Sequence, residues 1–281
     1  MFPLPRHINT FLFISYGFSF VLWFGAWSFA NRVGANILLN NEIYFWDGNP
    51  QVLIVSLLFS IATLGPFIGA LFVRKQSNIT LSTKGFNIAL VVFGLLFGLH
   101  IVLMLGAWLF ARDTFTTSNI NLGAVLFALL YFALTSGTEE FGWRGVLYPH
   151  VKKHSKSLWD SAFVTGLIWG PWHTPFVLYL FVTAGMPIIS IVLGYVGFIM
   201  TIVLQSYLHG FVNVRGGSTL ANYLLHTLHN WFPILLIFIF QDTPIATVAS
   251  IGGYVLTLFF LERFFSSEQF FEVEEKEVGA H

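Results

Sequence analysis

The feature that most limits the fold of this chain is a series of long apolar stretches almost free of charge. Each approaches the roughly 20 residues that a helix needs to cross a hydrocarbon core of about 30 Å. The stretches are Phe11–Ala30, Val52–Val73, Phe86–Phe110, Leu122–Ser136, Ala162–Thr183, Ile188–Val212, Leu220–Phe240 and Ile245–Leu261. Only 9% of the 281 residues are charged, whereas soluble domains carry about a quarter. The sequence therefore predicts an all-α, polytopic transmembrane helical bundle of about eight spans.

The rest of the composition excludes several classes of partner and site. Lysine plus arginine and aspartate plus glutamate balance at 13 each, so no basic surface predicts nucleic-acid binding. The absence of cysteine excludes disulfides, thiolate nucleophiles and cysteine metal sites. We expect one integral membrane domain over residues 1–281, surrounded by the lipid bilayer, with an acidic tail at about 266–281. The first stretch is interpreted as a helix, because a signal-peptide core has only about 7–15 apolar residues.

The basic residues predict the orientation, since cytoplasmic loops are enriched in lysine and arginine. With both termini cytoplasmic, the inner segments contain Arg6, Arg74, Lys75, Lys84, Lys152, Lys153, Lys156, Arg215, Arg263 and Lys276. The outer loops then contain only Arg32 and Arg112. This asymmetry requires an even number of spans, in agreement with eight.

Ionisable side chains inside a span are costly and usually face a protein interior or a cavity. A first group follows the fourth stretch, where Glu140 precedes Arg144 by four residues. That spacing and order favour a pair on one helix face. Glu139 lies about 100° further round the helix, so it is left without this partner, as suits a general base. The alternative is a structural ion-pair cluster at the membrane edge.

The second polar group lies in the fifth stretch. Trp169 and His173 are four residues apart, and Pro171 and Pro175 predict a local break of that helix. A single buried histidine of this kind is often only a core residue.

The third group lies in the seventh stretch, where His226, His229 and Asn230 are expected to share one helix face. The isolated His100 and His209 are interpreted as packing or interfacial residues. Together the three groups predict a polar core with parts that hydrolysis requires: a carboxylate and an imidazole to activate water, and donors for an oxyanion.

These residues resemble a known family, the type II CAAX prenyl endopeptidases and their bacterial CPBP relatives. The family motifs EExxxR, FxxxH and HxxxN are matched in order by Glu139-Glu140-x-x-x-Arg144, Trp169-x-x-x-His173 and His226-x-x-x-Asn230. The resemblance covers about residues 122–231. Gly142-Trp143 and Trp172-His173-x-Pro175 are further similarities to prokaryotic members, and Trp169 stands where the family often has phenylalanine.

The resemblance implies an intramembrane endopeptidase that uses a glutamate-activated water and no cofactor. Glu139 would be the general base and His173 would orient the water. His226 and Asn230 would stabilise the oxyanion. Glu140, Arg144 and Trp169 would support the site. The substrate would be a membrane-associated protein or peptide, prenylated or not, cleaved near its C-terminus. The expected location is the plasma membrane of a prokaryote, as a multi-pass protein.

Three alternatives remain open at this point. Glu139, His173 and His226 form a carboxylate and two imidazoles, a possible zinc site of a membrane metalloprotease. A transporter with a proton relay would be expected to show an inverted repeat, but the polar motifs lie only in the second half of the chain. A non-catalytic immunity or scaffold protein that retains the motifs for folding is the third.

Overall fold

The computed structural model describes residues 4–35, 49–110, 122–239 and 244–265. All secondary structure in these ranges is helical, which confirms the all-α prediction. The α-helices are α1 (Arg6–Val33), α2 (Pro50–Ala62), α3 (Gly65–Phe72), α4 (Phe86–Phe110), α5 (Leu122–Leu134), α6 (Ser136–Gly142), α7 (Tyr148–Lys153), α8 (Leu158–Trp172), α9 (Thr174–Thr183), α10 (Ile188–Gly216), α11 (Thr219–Ile239) and α12 (Pro244–Phe264). A 3₁₀ turn covers Arg74–Gln76 and a π-helical segment covers Trp143–Leu147. The predicted acidic tail lies outside the described residues.

Within the part of the chain that the structure describes, five helical segments are long and apolar enough to cross a membrane. They are Arg6–Val33, Pro50–Phe72, Phe86–Phe110, Leu122–Lys153 and Ile188–Gly216. The predicted stretch Ala162–Thr183 is divided between α8 and α9, and neither piece has the length of a full span. The count of eight spans and the orientation of the termini therefore stay predictions.

Two interruptions of the helices fall at the polar motifs. The fourth stretch continues past Leu134 into α6 and the π-helical segment, and such π segments occur frequently at functional sites. Helix α8 ends at Trp172 and α9 begins at Thr174. The break predicted from Pro171 and Pro175 is thus confirmed, with His173 at the junction.

The short helix α6, which carries the two glutamates, is held tightly between its neighbours. A Cβ on Gly137 would lie 2.5 Å from Thr227 Oγ1 of α11, and one on Gly142 would lie 2.6 Å from the Pro66 carbonyl oxygen of α3. These distances are shorter than van der Waals contact, so only glycine permits the approach. The close packing brings the first motif against the third.

Candidate active site

Glu140 and Arg144 form the buried ion pair that their spacing predicts. Arg144 Nη1 donates to Glu140 Oε1 at 3.0 Å, and both side chains are fully buried. The guanidinium also lies over the Trp169 ring, with Cζ 4.5 Å from the centroid. A buried cation is very costly unless it is paired. Glu140 and the aromatic face together therefore keep Arg144 inside the bundle, and the predicted pairing is confirmed.

Two histidines complete the surroundings of Glu140. His226 Nδ1 lies 2.8 Å from Oε1, and because an ionised carboxylate only accepts hydrogen bonds, this nitrogen is the donor. His209 Nδ1 lies 3.6 Å from Oε2 and donates to Asn222 Oδ1 at 3.0 Å. Both imidazoles are buried. The interpretation of His209 as a packing or interfacial residue is therefore wrong, because its ring nitrogen faces the carboxylate of the first motif.

Glu139 forms no ion pair with Arg144, as its position on the helix predicts, but it has two other hydrogen-bond partners. Trp143 Nε1 donates to Glu139 Oε2 at 3.2 Å, and Trp169 Nε1 donates to the same oxygen at 3.1 Å. The glutamate is only 3% exposed. An indole N–H is a neutral donor to a carboxylate oxygen, and two tryptophans supply it here. Among the described residues, Glu139 has hydrogen bonds to neutral groups and no ion pair.

Trp169 contacts side chains of all three motifs. Its ring centroid lies 5.9 Å from that of His173 and 5.3 Å from that of His226. Its indole N–H binds Glu139 and its face covers Arg144. The expected packing on His173 is confirmed. A phenylalanine here would preserve the ring contacts but could not donate to Glu139.

His173 is held by its backbone and by aromatic neighbours. Its Nδ1 lies 3.2 Å from the Trp169 carbonyl oxygen, which can only accept, so Nδ1 is the donor. The Trp172 and Phe198 rings lie 4.6 and 5.2 Å away. These contacts leave Nε2 as the nitrogen available to a substrate or water.

The third motif divides between two environments. Asn230 Nδ2 donates to Ser136 Oγ at 2.7 Å, which places Asn230 beside α6. His229 instead contacts the Tyr254 hydroxyl of α12 through Nε2. The expectation that His226, His229 and Asn230 share one face is wrong for His229. It lies about 100° from Asn230 on the helix, far enough to contact a different neighbour.

The motifs meet at one cavity of about 150 Å³. Glu139, His173 and Asn230 lie on its wall, one from each motif, together with the hydroxyl of Ser136. The remaining lining consists of Trp23, Ser56, Phe59, Thr63, Tyr131, Phe132, Thr135 and Phe176. A water takes about 30 Å³ of liquid volume, so this space holds a few waters or one large side chain. One polar wall with a mainly aromatic remainder suits a peptide bond presented by an apolar segment.

The side chains that lie close enough to bind one metal ion are not the predicted triad of Glu139, His173 and His226. In the described ranges, the group of ligand atoms close enough to share one ion is Glu140, His209 and His226, within 4.8 Å of one another. This group contains the carboxylate that Arg144 already binds. An ion there would be a second cation on one buried carboxylate, so the donor set fits a metal poorly.

Two residues of the site were missed from the sequence. His209 comes from α10, and its contact with Glu140 is tertiary, so no local spacing marks it. Trp143 did carry a signal, because it follows Glu139 by four residues just as Arg144 follows Glu140. Two consecutive acids are each bound by a donor one turn further on.

The family comparison covers this same part of the chain. Residues 121–232 match the model of the family described as Type II CAAX prenyl endopeptidase Rce1-like, a protease family. The matched segment contains all three motifs. No curated protein matches the chain. Together with the five long apolar helices, the match identifies an integral membrane protein. The resemblance to the type II CAAX prenyl endopeptidases is confirmed over residues 121–232.

Proposed function

We propose that the protein is an intramembrane endopeptidase that hydrolyses a peptide bond near the C-terminus of a membrane-associated protein or peptide. The observation that carries this proposal is the meeting of Glu139, His173 and Asn230 at one cavity. These residues come from three separate motifs of the chain. A carboxylate, an imidazole and an amide donor are the groups that activate water and stabilise a tetrahedral oxyanion.

Glu139 and His173 are suited to activate the water. Glu139 Oε2 is occupied by two indole donors, so Oε1 is the oxygen left to take a proton. Nδ1 of His173 donates to a carbonyl, so Nε2 of the neutral ring is an acceptor. A water between the two groups would donate one hydrogen to each, and its oxygen lone pair would face the substrate carbonyl. Glu139 would then transfer the proton to the leaving amine.

His226 and Asn230 are suited to the oxyanion. One N–H of the Asn230 amide binds Ser136, and the second is left for the substrate oxygen. His226 donates to Glu140 from Nδ1, which fixes the orientation of its ring beside the site. Arg144 holds the Glu140 carboxylate in turn. Glu140 is thus a supporting residue, and Glu139 is the base.

The substrate proposal is tested directly with two peptides. Purified protein in liposomes is incubated with a farnesylated peptide that ends in a CAAX sequence and with its unprenylated counterpart, and the products are identified by mass spectrometry. We expect cleavage after the prenylated cysteine. Cleavage of both peptides at equal rates would remove prenylation from the proposal. Cleavage of neither would favour the immunity or scaffold function.

A zinc-dependent mechanism is tested by metal content and by two variants. We expect purified protein to contain no stoichiometric zinc and to keep its activity in a chelator. One equivalent of zinc that is lost in His173→Ala would support the triad predicted from the sequence. Zinc lost in His209→Ala but kept in His173→Ala would place the ion at Glu140, His209 and His226. Either result would replace the glutamate-and-water mechanism.

We further propose that all eight apolar stretches cross the membrane with both termini in the cytoplasm, in a prokaryotic plasma membrane. The bias of basic residues toward alternate loops supports the orientation. The cavity lined by Glu139 has mainly aromatic walls away from the three motifs, and these would suit a membrane-anchored chain.

A further inference from the structure

We infer that Trp143 and Trp169 are positioning residues for this hydrolysis: their indole N–H groups hold one oxygen of Glu139 so that the other faces the water. The inference rests on the proposed function, in which Glu139 is the base. It assigns a role to Trp143, and it gives Trp169 a role beyond ring packing.

The hydrogen bonds converge on a single atom. Trp143 Nε1 and Trp169 Nε1 lie 3.2 and 3.1 Å from Glu139 Oε2, and both indoles are fully buried. Oε1 accepts no hydrogen bond from the described residues. The two oxygens of one carboxylate are therefore unequal: Oε2 is anchored in protein and Oε1 is left to the cavity that Glu139 lines. A carboxylate fixed in this way cannot rotate to exchange its oxygens without breaking both bonds.

Trp143 is itself held in one orientation. It begins the π-helical segment, and its ring packs edge-on against Phe11 of α1 at 5.5 Å and against Trp172 of α8 at 5.6 Å. A donor can hold a reacting group within the tolerance of catalysis only when packing fixes its own rotamer. The contacts from α1 and α8 supply that rigidity to Trp143, and Arg144 covers the face of Trp169.

The neutral donors explain how two adjacent glutamates serve different purposes. Arg144 binds Glu140 with a full positive charge and neutralises it. Indole N–H groups orient Glu139 without forming an ion pair with it. The four-residue spacing is the same in both pairs, so the difference between a structural acid and a reactive one is set by tryptophan or arginine at the following turn.

The test separates orientation from substrate binding. In Trp143→Phe and Trp169→Phe the ring contacts are kept and the donor is lost. Because a reacting group misplaced by about 1 Å can lose roughly 10²-fold in rate, we expect kcat to fall by about 10- to 100-fold in each variant. KM should change less than about threefold, since neither indole lines the cavity. The double variant should be slower than either. Wild-type kcat in the folded double variant would overturn the inference.

A matched control is provided by Trp231. Its half-buried indole N–H donates to the Val125 carbonyl oxygen at 2.9 Å, and the residue does not line the cavity. Trp231→Phe should lower the unfolding temperature, and kcat should stay near the wild-type value. An equal fall of kcat in Trp231→Phe would mean that loss of any indole hydrogen bond is sufficient, and the inference would be wrong.

An isosteric substitution removes the N–H without changing shape, and this arm remains decisive if the phenylalanine variants unfold. Benzothienylalanine at position 143 or 169 replaces the N–H by sulfur. We expect it to lower kcat as phenylalanine does, whereas full activity would show that ring shape is sufficient and overturn the inference.

Glu139→Gln separates the two proposals. If it is inactive while the tryptophan variants retain full kcat, only the inference fails; if it is active, the proposed function of Glu139 fails.

Discussion

At the scale of single residues, the site is organised by what each carboxylate accepts. Glu140 is bound by one guanidinium and one imidazole donor, and Glu139 is bound by two indoles. Only Glu139 reaches the cavity wall. Both acids are buried, but the one with an ion pair does not line the cavity, and the one without an ion pair faces the space where a substrate would bind.

The first residue-scale prediction concerns Glu140. Glu140→Gln leaves the buried Arg144 without a counter-charge, and breaking a buried ion pair typically costs about 3–5 kcal/mol. We expect a marked fall in the unfolding temperature of the detergent-solubilised protein. Restoring neutrality with the double substitution Glu140→Gln and Arg144→Met should recover part of the loss. Unchanged stability of the single variant would show that Arg144 does not depend on Glu140.

The second residue-scale prediction concerns Asn230. An oxyanion donor contributes roughly 2.7–4 kcal/mol in the transition state, or about 10²–10³ in rate. Asn230→Ala should therefore lower kcat by that order and change KM little, because the ground-state carbonyl carries less charge than the oxyanion. Steady-state kinetics on a cleavable peptide measure both. A rise in KM alone would assign Asn230 to substrate binding.

At this scale, the sequence predicted contacts between residues that lie one helical turn apart. The Glu140–Arg144 pair follows from its four-residue spacing, and so does the packing of Trp169 on His173. The contact of His209 with Glu140 could not be predicted, because it joins α10 to the first motif through tertiary packing. His229 was misplaced for a related reason: a broad helix face does not say which neighbouring helix each residue meets.

At the scale of elements, the site depends on short helices that end close together. Helix α6, the π-helical segment and the α8–α9 junction interrupt what hydropathy represents as continuous spans. The prolines around His173 made that break predictable. The π-helical segment contains Arg144 and Gly145 between apolar residues, but hydropathy does not distinguish a π-helical turn from an α-helical one.

The element-scale prediction concerns Gly137, where α6 meets α11. An added Cβ would lie 2.5 Å from Thr227 Oγ1 and 2.9 Å from a Tyr223 ring carbon. Overpacking of this kind typically costs about 1–3 kcal/mol, and it would move Ser136 and Glu139 away from Asn230. We expect Gly137→Ala to lower both the unfolding temperature and kcat. The control is Gly98→Ala in α4, where a Cβ meets nothing within 4 Å. If both variants resemble wild type, the helices do not need this close contact.

At the scale of the whole molecule, the described residues form an all-helical membrane bundle with a polar centre. The apolar stretches predicted the class directly, because each approaches the length that a helix needs to cross a hydrocarbon core. The number of spans was less predictable, since a stretch such as Ala162–Thr183 is long enough in sequence but divides into two shorter helices.

The orientation is tested by labelling, for which the absence of native cysteine provides a clean background. Arg32→Cys and Lys156→Cys place single thiols at exposed positions on opposite sides of the predicted topology. A membrane-impermeant maleimide applied to intact cells should label position 32 and not position 156. As a second readout, the Asn78-Ile79-Thr80 sequon should remain unglycosylated in a eukaryotic host. Labelling of position 156 alone would reverse the orientation.

The central claim, that Glu139 activates the water that cleaves the peptide, is tested most directly by the rate of peptide hydrolysis in Glu139→Gln. The amide keeps the size of the side chain but cannot take a proton, so we expect the rate to fall by at least about 10²-fold. The unfolding temperature and substrate binding should stay at wild-type values. The matched control is Glu262→Gln, since Glu262 binds Tyr207 away from the cavity and should not affect turnover. Hydrolysis by Glu139→Gln at the wild-type rate would contradict the account.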